Sequence, residues 1–85
     1  MGTWIIRDKA GQLNIGADPV VGALYDVVHE RKGGFRVRVT SVDDEWLHGV
    51  IVNGSARYIN DSDRGPAEPV IIRHSLCKLN EVAEP

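Results

Sequence analysis

The chain of 85 residues is 42% hydrophobic and 26% charged, with a formal net charge of −2, a balance that fits one globular domain over residues 1–85 and excludes a disordered chain. Its longest purely apolar run is three residues, too short for a membrane-spanning helix. A domain of this length buries only roughly two thirds of the surface of its unfolded chain, which argues against a deep enclosed pocket.

Strand signals dominate in chain order. "TWIIR" at 3–7 and "QLNI" at 12–15 flank "DKAG", where Gly11 can take the left-handed position that closes a short hairpin. "GADP" at 16–19 then breaks the ladder, because Pro19 has no amide donor. In "VVGALYDVVHE" helix and strand compete: Val20, Ala23, Leu24, Val27 and Val28 fit a helical stripe, while Gly22 and the valines favour a strand. "FRVRVTSV" at 35–42 alternates Phe35, Val37 and Val39 with Arg36, Arg38 and Thr40, a period of two. After the acidic turn "DDE", "WLHGVIVNG" at 46–54 has apolar residues on both faces, and Gly49 near its middle predicts a bend that lets one strand serve two sheets. "SARYIN" reads as one more short strand and "DSDRGPAEP" as a polar loop. "VIIRHSLCKLNEV" reads as one or two strands, with a shift of register near Ser75.

The pattern predicts an all-β fold, a small antiparallel SH3-like barrel of five to seven strands with an N-terminal β-hairpin. Residues 30–54, "ERKGGFRVRVTSVDDEWLHGVIVNG", resemble the KOW pattern within that class, in which a basic residue and glycine open a strand and a valine-rich strand returns after an acidic turn. The resemblance implies contacts with RNA or with proteins of the ribosome and transcription machinery, and assigns Arg31, Lys32, Arg36 and Arg38 to that contact. "ALYD" at 23–26, "DDEW" at 43–46 and "ARYI" at 56–59 also resemble signalling SH3 domains, where Tyr25, Trp46 and Tyr58 would floor a polyproline groove. The short interval between "ALYD" and Trp46 leaves no room for the long acidic loop of that groove. Plasmid-borne type II dihydrofolate reductases are barrels of similar length, but their Val-Gln-Ile-Tyr signature has no counterpart beyond "ARYI", with Arg57 in place of glutamine.

Catalytic chemistry finds little footing. The four serines Ser41, Ser55, Ser62 and Ser75 lack a nucleophile-elbow setting, and the aspartates of "DDE" and "DSD" sit where turns favour them. "DSDRGPAE" fails as a calcium loop because Arg64 and Gly65 interrupt the ligand series. His29, His48 and His74 lack metal-ligand spacing, and Cys77 stands alone in an alternating segment, as a packed thiol would. The expected function is therefore a noncatalytic, cofactor-free binding module of the size found among phage and plasmid accessory proteins.

A protein partner is the first expectation, captured along an exposed edge strand, which also permits a homodimer. Nucleic acid is the second, with Arg31, Lys32, Arg36 and Arg38 on phosphates and Trp46 or Tyr58 stacking bases. The competing reading pairs Arg36 and Arg38 with cross-strand acids such as Glu30 or Glu45 on an ordinary solvent face. "MGTWIIRDKAG" has neither the apolar core nor the cleavage site of a signal peptide, so a cytoplasmic protein without membrane contact is expected.

Overall fold

A computed structural model describes residues 4–83, so Thr3 of the first predicted strand and the final Glu84 and Pro85 lie outside the described residues. Seven strands form among them: β1 (Trp4–Arg7), β2 (Leu13–Ala17), β3 (Leu24–His29), β4 (Gly33–Val42), β5 (Trp46–Gly54), β6 (Pro69–Arg73) and β7 (Cys77–Glu81). A single 3-10 turn, His74–Leu76, separates the last two, where the sequence predicts only a shift of register near Ser75. The strands make one sheet in the order β2-β1-β7-β3-β4-β5-β6.

The β1–β2 hairpin forms as its turn residues require. Gly11 takes φ +87, and the Asp8 carboxylate accepts from the amides of Ala10 and Gln12 at 3.0 and 2.9 Å. Those donors, Gln12 first, hold the Asp8 carboxyl below its ordinary value. The ambiguous stretch becomes a strand because β3 gains a ladder on each side, from β4 and from β7. Tyr25, Val27 and His29 then face inward while Val28 faces out, a period of two that the helical stripe does not explain.

The core draws on both ends of the sheet. Trp4, Tyr25, Val37, Leu47, Ile51, Ile72 and Leu79 are each at most 1% exposed. Around the β4–β5 hairpin the register shifts twice, leaving Val52 as the extra residue on β5 and Thr40 as the extra residue on β4. The second bulge brings Val39 and Val42, three residues apart, onto the same inner side, and the Thr40 hydroxyl donates to the His48 carbonyl at 3.1 Å. Such paired bulges coil a long hairpin around its core.

Several expectations are corrected. The sheet does not close: β2 and β6 end it without pairing to each other. Side chains span the opening instead, since the Trp4 indole N–H donates to the Asp43 carbonyl at 3.2 Å and its ring meets His74 edge-on at 5.9 Å. Nor is the sheet wholly antiparallel, because β1 runs parallel to β7. "SARYIN" makes only an isolated bridge, Ala56 with Arg64, because the chain bends at residues 59–61 before a ladder can extend. β5 buries one face only: Leu47, Gly49 and Ile51 point inward, while Trp46 and Val52 on the other face are exposed.

Candidate functional site

The residues singled out in the sequence separate into two groups. Arg36 and Arg38 lie on the outer face of β4, as their alternation requires. The Arg36 guanidinium grips Asp26 on β3 through two contacts of 2.8 and 3.2 Å, because the β3–β4 register sets those residues opposite each other. The acids named as cross-strand partners, Glu30 and Glu45, are not used by Arg36; Glu45 is 3.8 Å from Arg73. Arg38 donates to the Gly22 carbonyl at 2.7 Å, a tie to the loop that precedes β3. Both cations of the strand are thus engaged, Arg36 by a carboxylate and Arg38 by a backbone carbonyl.

Arg31 and Lys32 sit in the turn between β3 and β4, where the loop that follows β5 packs against them. The Arg57 amide donates to the Lys32 carbonyl at 3.0 Å, and the Lys32 ammonium lies 4.8 Å from the centre of the Tyr58 ring. Arg64 approaches the same ring to 5.3 Å. Both separations fall in the range of cation–π attraction. A cleft of about 310 Å³ opens here, lined by Arg31, Lys32, Arg57, Tyr58, Ile59 and Asp61 together with Asn60. Arg57 and Arg64 were not expected to contribute. The bridge between Ala56 and Arg64 that brings them in joins residues on either side of a polar loop, and no periodic pattern marks it.

His29 organises that turn. It is 4% exposed, and its Nδ1 accepts from the amides of Arg31 and Lys32 at 3.0 and 3.1 Å. Burial, followed by the charge of Lys32, pushes its titration below the ordinary 6.5, with Arg31 adding to the effect and Glu30 opposing it. The unfolded chain therefore binds the proton more readily than the folded one, so this contribution to stability is complete above about pH 6.5 and is lost as pH falls below it. Urea unfolding at about pH 7.5 and about pH 5.5 should show a drop on acidification that is smaller in His29→Ala. An equal drop in both proteins would disprove the role of His29.

The aromatic residues divide as well. Trp4 and Tyr25 belong to the core at 1% exposure each, and the Tyr25 hydroxyl accepts from the Val20 amide at 3.0 Å. Tyr58 is half-buried at a rim, whereas Trp46 is 39% exposed, with the Arg73 guanidinium 5.8 Å from its ring. Trp46 opens β5, Tyr58 lies in the loop that folds back after it, and Tyr25 is enclosed in the core. With Tyr25 buried, the three aromatic rings do not form one exposed polyproline floor.

Ile71 of β6, 47% exposed, stands opposite His48 and diagonal to Trp46 on the outer face. A depression of about 250 Å³ at the start of β6 is lined by Tyr58, Arg64, Pro69, Val70 and Ile71. Neither Pro69 nor Ile71 was singled out beforehand. Comparison with protein-family models, curated proteins and solved structures gives no match.

Elsewhere the chemistry is structural. The Asp43 carboxylate accepts from the amides of Glu45 and Trp46 at 2.8 and 2.7 Å, which keeps its carboxyl below the ordinary value. Asp61 and Asp63 likewise accept from backbone amides of Ser62 and Tyr58. Burial pushes the Cys77 thiol up to about 12, and its sulfur lies 3.4 Å from the Arg73 carbonyl, the setting of a packed thiol. Among the described residues no three His, Cys, Asp or Glu side chains converge to hold a metal, and no helix is long and apolar enough to cross a membrane.

Proposed function

We propose that the chain is a noncatalytic protein-binding module, an SH3-like barrel left open at one seam, which takes an extended segment of its partner along the free edge of β6. The succession β3-β4-β5-β6 as a meander, with β7 returning beside β3 after a 3-10 turn, supports the SH3-like reading. The observation that carries the function is the exposure of Trp46. A domain with two tryptophans and so small a core gains most by burying both, and here one is left 39% exposed, diagonal to the exposed Ile71 of β6.

The β6 edge offers unpaired backbone groups to an incoming strand, and alternate side chains of that strand would lie over Ile71 and enter the depression lined by Tyr58 and Pro69. Main-chain bonds supply affinity in this mode and the side-chain contacts supply selectivity. A displayed library of random peptides, selected on the immobilised protein, should yield ligands that bind at least tenfold more weakly to Trp46→Ala and to Ile71→Lys, a loss of about 1.4 kcal/mol each. Selected peptides that bind both variants as well as the parent, or a selection that enriches nothing, would refute the proposal. Trp46 and Ile71 lie outside the core, so both variants should fold.

A further inference from the structure

A second surface, separate from the β6 edge, has the chemistry of a polyanion site. Arg31, Lys32 and Arg57 line the cleft between the β3–β4 turn and the loop after β5, and none of the three forms an ion pair among the described residues. The one carboxylate in the lining, Asp61, is held by Arg64 at 2.9 Å. In a protein of net charge −2, three cations without an ion pair within one cleft are a local concentration of positive charge.

The backbone beneath them is fixed on both sides. His29 pins the amides of Arg31 and Lys32, the Arg57 amide is tied to the Lys32 carbonyl, and Ala56 and Arg64 exchange hydrogen bonds of 2.7 and 2.9 Å. The Tyr58 amide donates to Asp63 at 3.2 Å. Cations carried on a preformed scaffold lose less freedom when they bind than cations on a mobile loop.

We infer that this cleft holds the phosphodiester backbone of single-stranded nucleic acid. Arg31 and Arg57 project from an open cleft, an arrangement suited to successive singly charged phosphates and not to enclosing one phosphomonoester. Lys32 and Arg64 already occupy the Tyr58 ring, so Tyr58 positions cations instead of stacking a base as the sequence reading had it. Ile59, 82% exposed in the same lining, offers an apolar surface to unstacked bases, which a duplex does not present. Arg36 and Arg38 take no part, because Asp26 and the Gly22 carbonyl engage them.

Fluorescence anisotropy of labelled oligo-dT and oligo-U, titrated at several salt concentrations, tests the inference. Three backbone contacts predict a slope of log K against log salt of about −2. Arg57→Ala should weaken binding several-fold and lower that slope by about 0.7, with Arg31→Ala acting alike and Arg36→Ala changing neither. Far-UV circular dichroism and melting temperature verify that the variants fold. Ile71→Lys should leave oligonucleotide binding intact, which separates this site from the β6 edge. No salt-dependent binding at low salt, indifference to both Arg57→Ala and Arg31→Ala, equal affinity for duplex DNA, or binding of a phosphoserine peptide in place of the oligonucleotides would each overturn it.

Discussion

Trp4→Ala is expected to lower the unfolding free energy by about 3–5 kcal/mol, a large share of the total that a domain of this size holds. Trp4 is 1% exposed, and it makes two contacts that cross the open seam, to the Asp43 carbonyl and to the His74 ring. Truncation removes the largest side chain of the core and also leaves the Asp43 carbonyl without its indole donor. Trp4→Phe keeps a six-membered aromatic ring while removing the N–H and part of the buried volume, so its loss should be smaller, about 1–2 kcal/mol. Urea unfolding followed by far-UV circular dichroism gives both values. A loss below about 1 kcal/mol for the alanine variant would mean that the seam is held by something other than Trp4.

Gly49→Ala is expected to cost about 1–3 kcal/mol although it adds a single methyl group. A Cβ at this position would stand 2.8 Å from the Arg38 carbonyl oxygen and 3.4 Å from the Val37 Cβ. That oxygen belongs to a β4 backbone paired on one side with β3 and on the other with β5, so it cannot yield locally. Gly34→Ala makes the comparison, because its Cβ would meet nothing nearer than 3.7 Å. Equal midpoints for the two variants in the same urea titration would contradict the steric account.

Gly49 also shows what could be read from the sequence and what could not. Its place within a valine-rich strand marked a special position. The reason turned out to be the close approach of β4 where Thr40 bulges, a contact between two strands that no single strand displays. The alternation in "FRVRV" correctly assigned Arg36 and Arg38 to the outer face, since a period of two fixes the face of each residue. It could not choose between Asp26, Glu30 and Glu45 as the partner of Arg36, which depends on the β3–β4 register. The strands through β5 followed from local signals, whereas the 3-10 turn at Ser75 was read only as a shift of register. The cationic cleft did not, because Lys32 and Arg57 meet only after the loop beyond β5 folds back on the β3–β4 turn.

The position of β7 bears on the order of events when the chain is made. This strand lies between β1 and β3, and among the described residues its ladders are the ones that join the N-terminal hairpin to the remaining sheet, through pairs such as Ile6 with Leu79. A nascent chain that has emerged only as far as Arg73 holds two fragments, the β1–β2 hairpin and the β3–β6 meander, with no ladder between them. An isolated two-stranded hairpin is at best marginally stable in water. Cooperative folding must therefore wait until translation has delivered β7, and until then the nascent chain exposes the inner faces of both fragments.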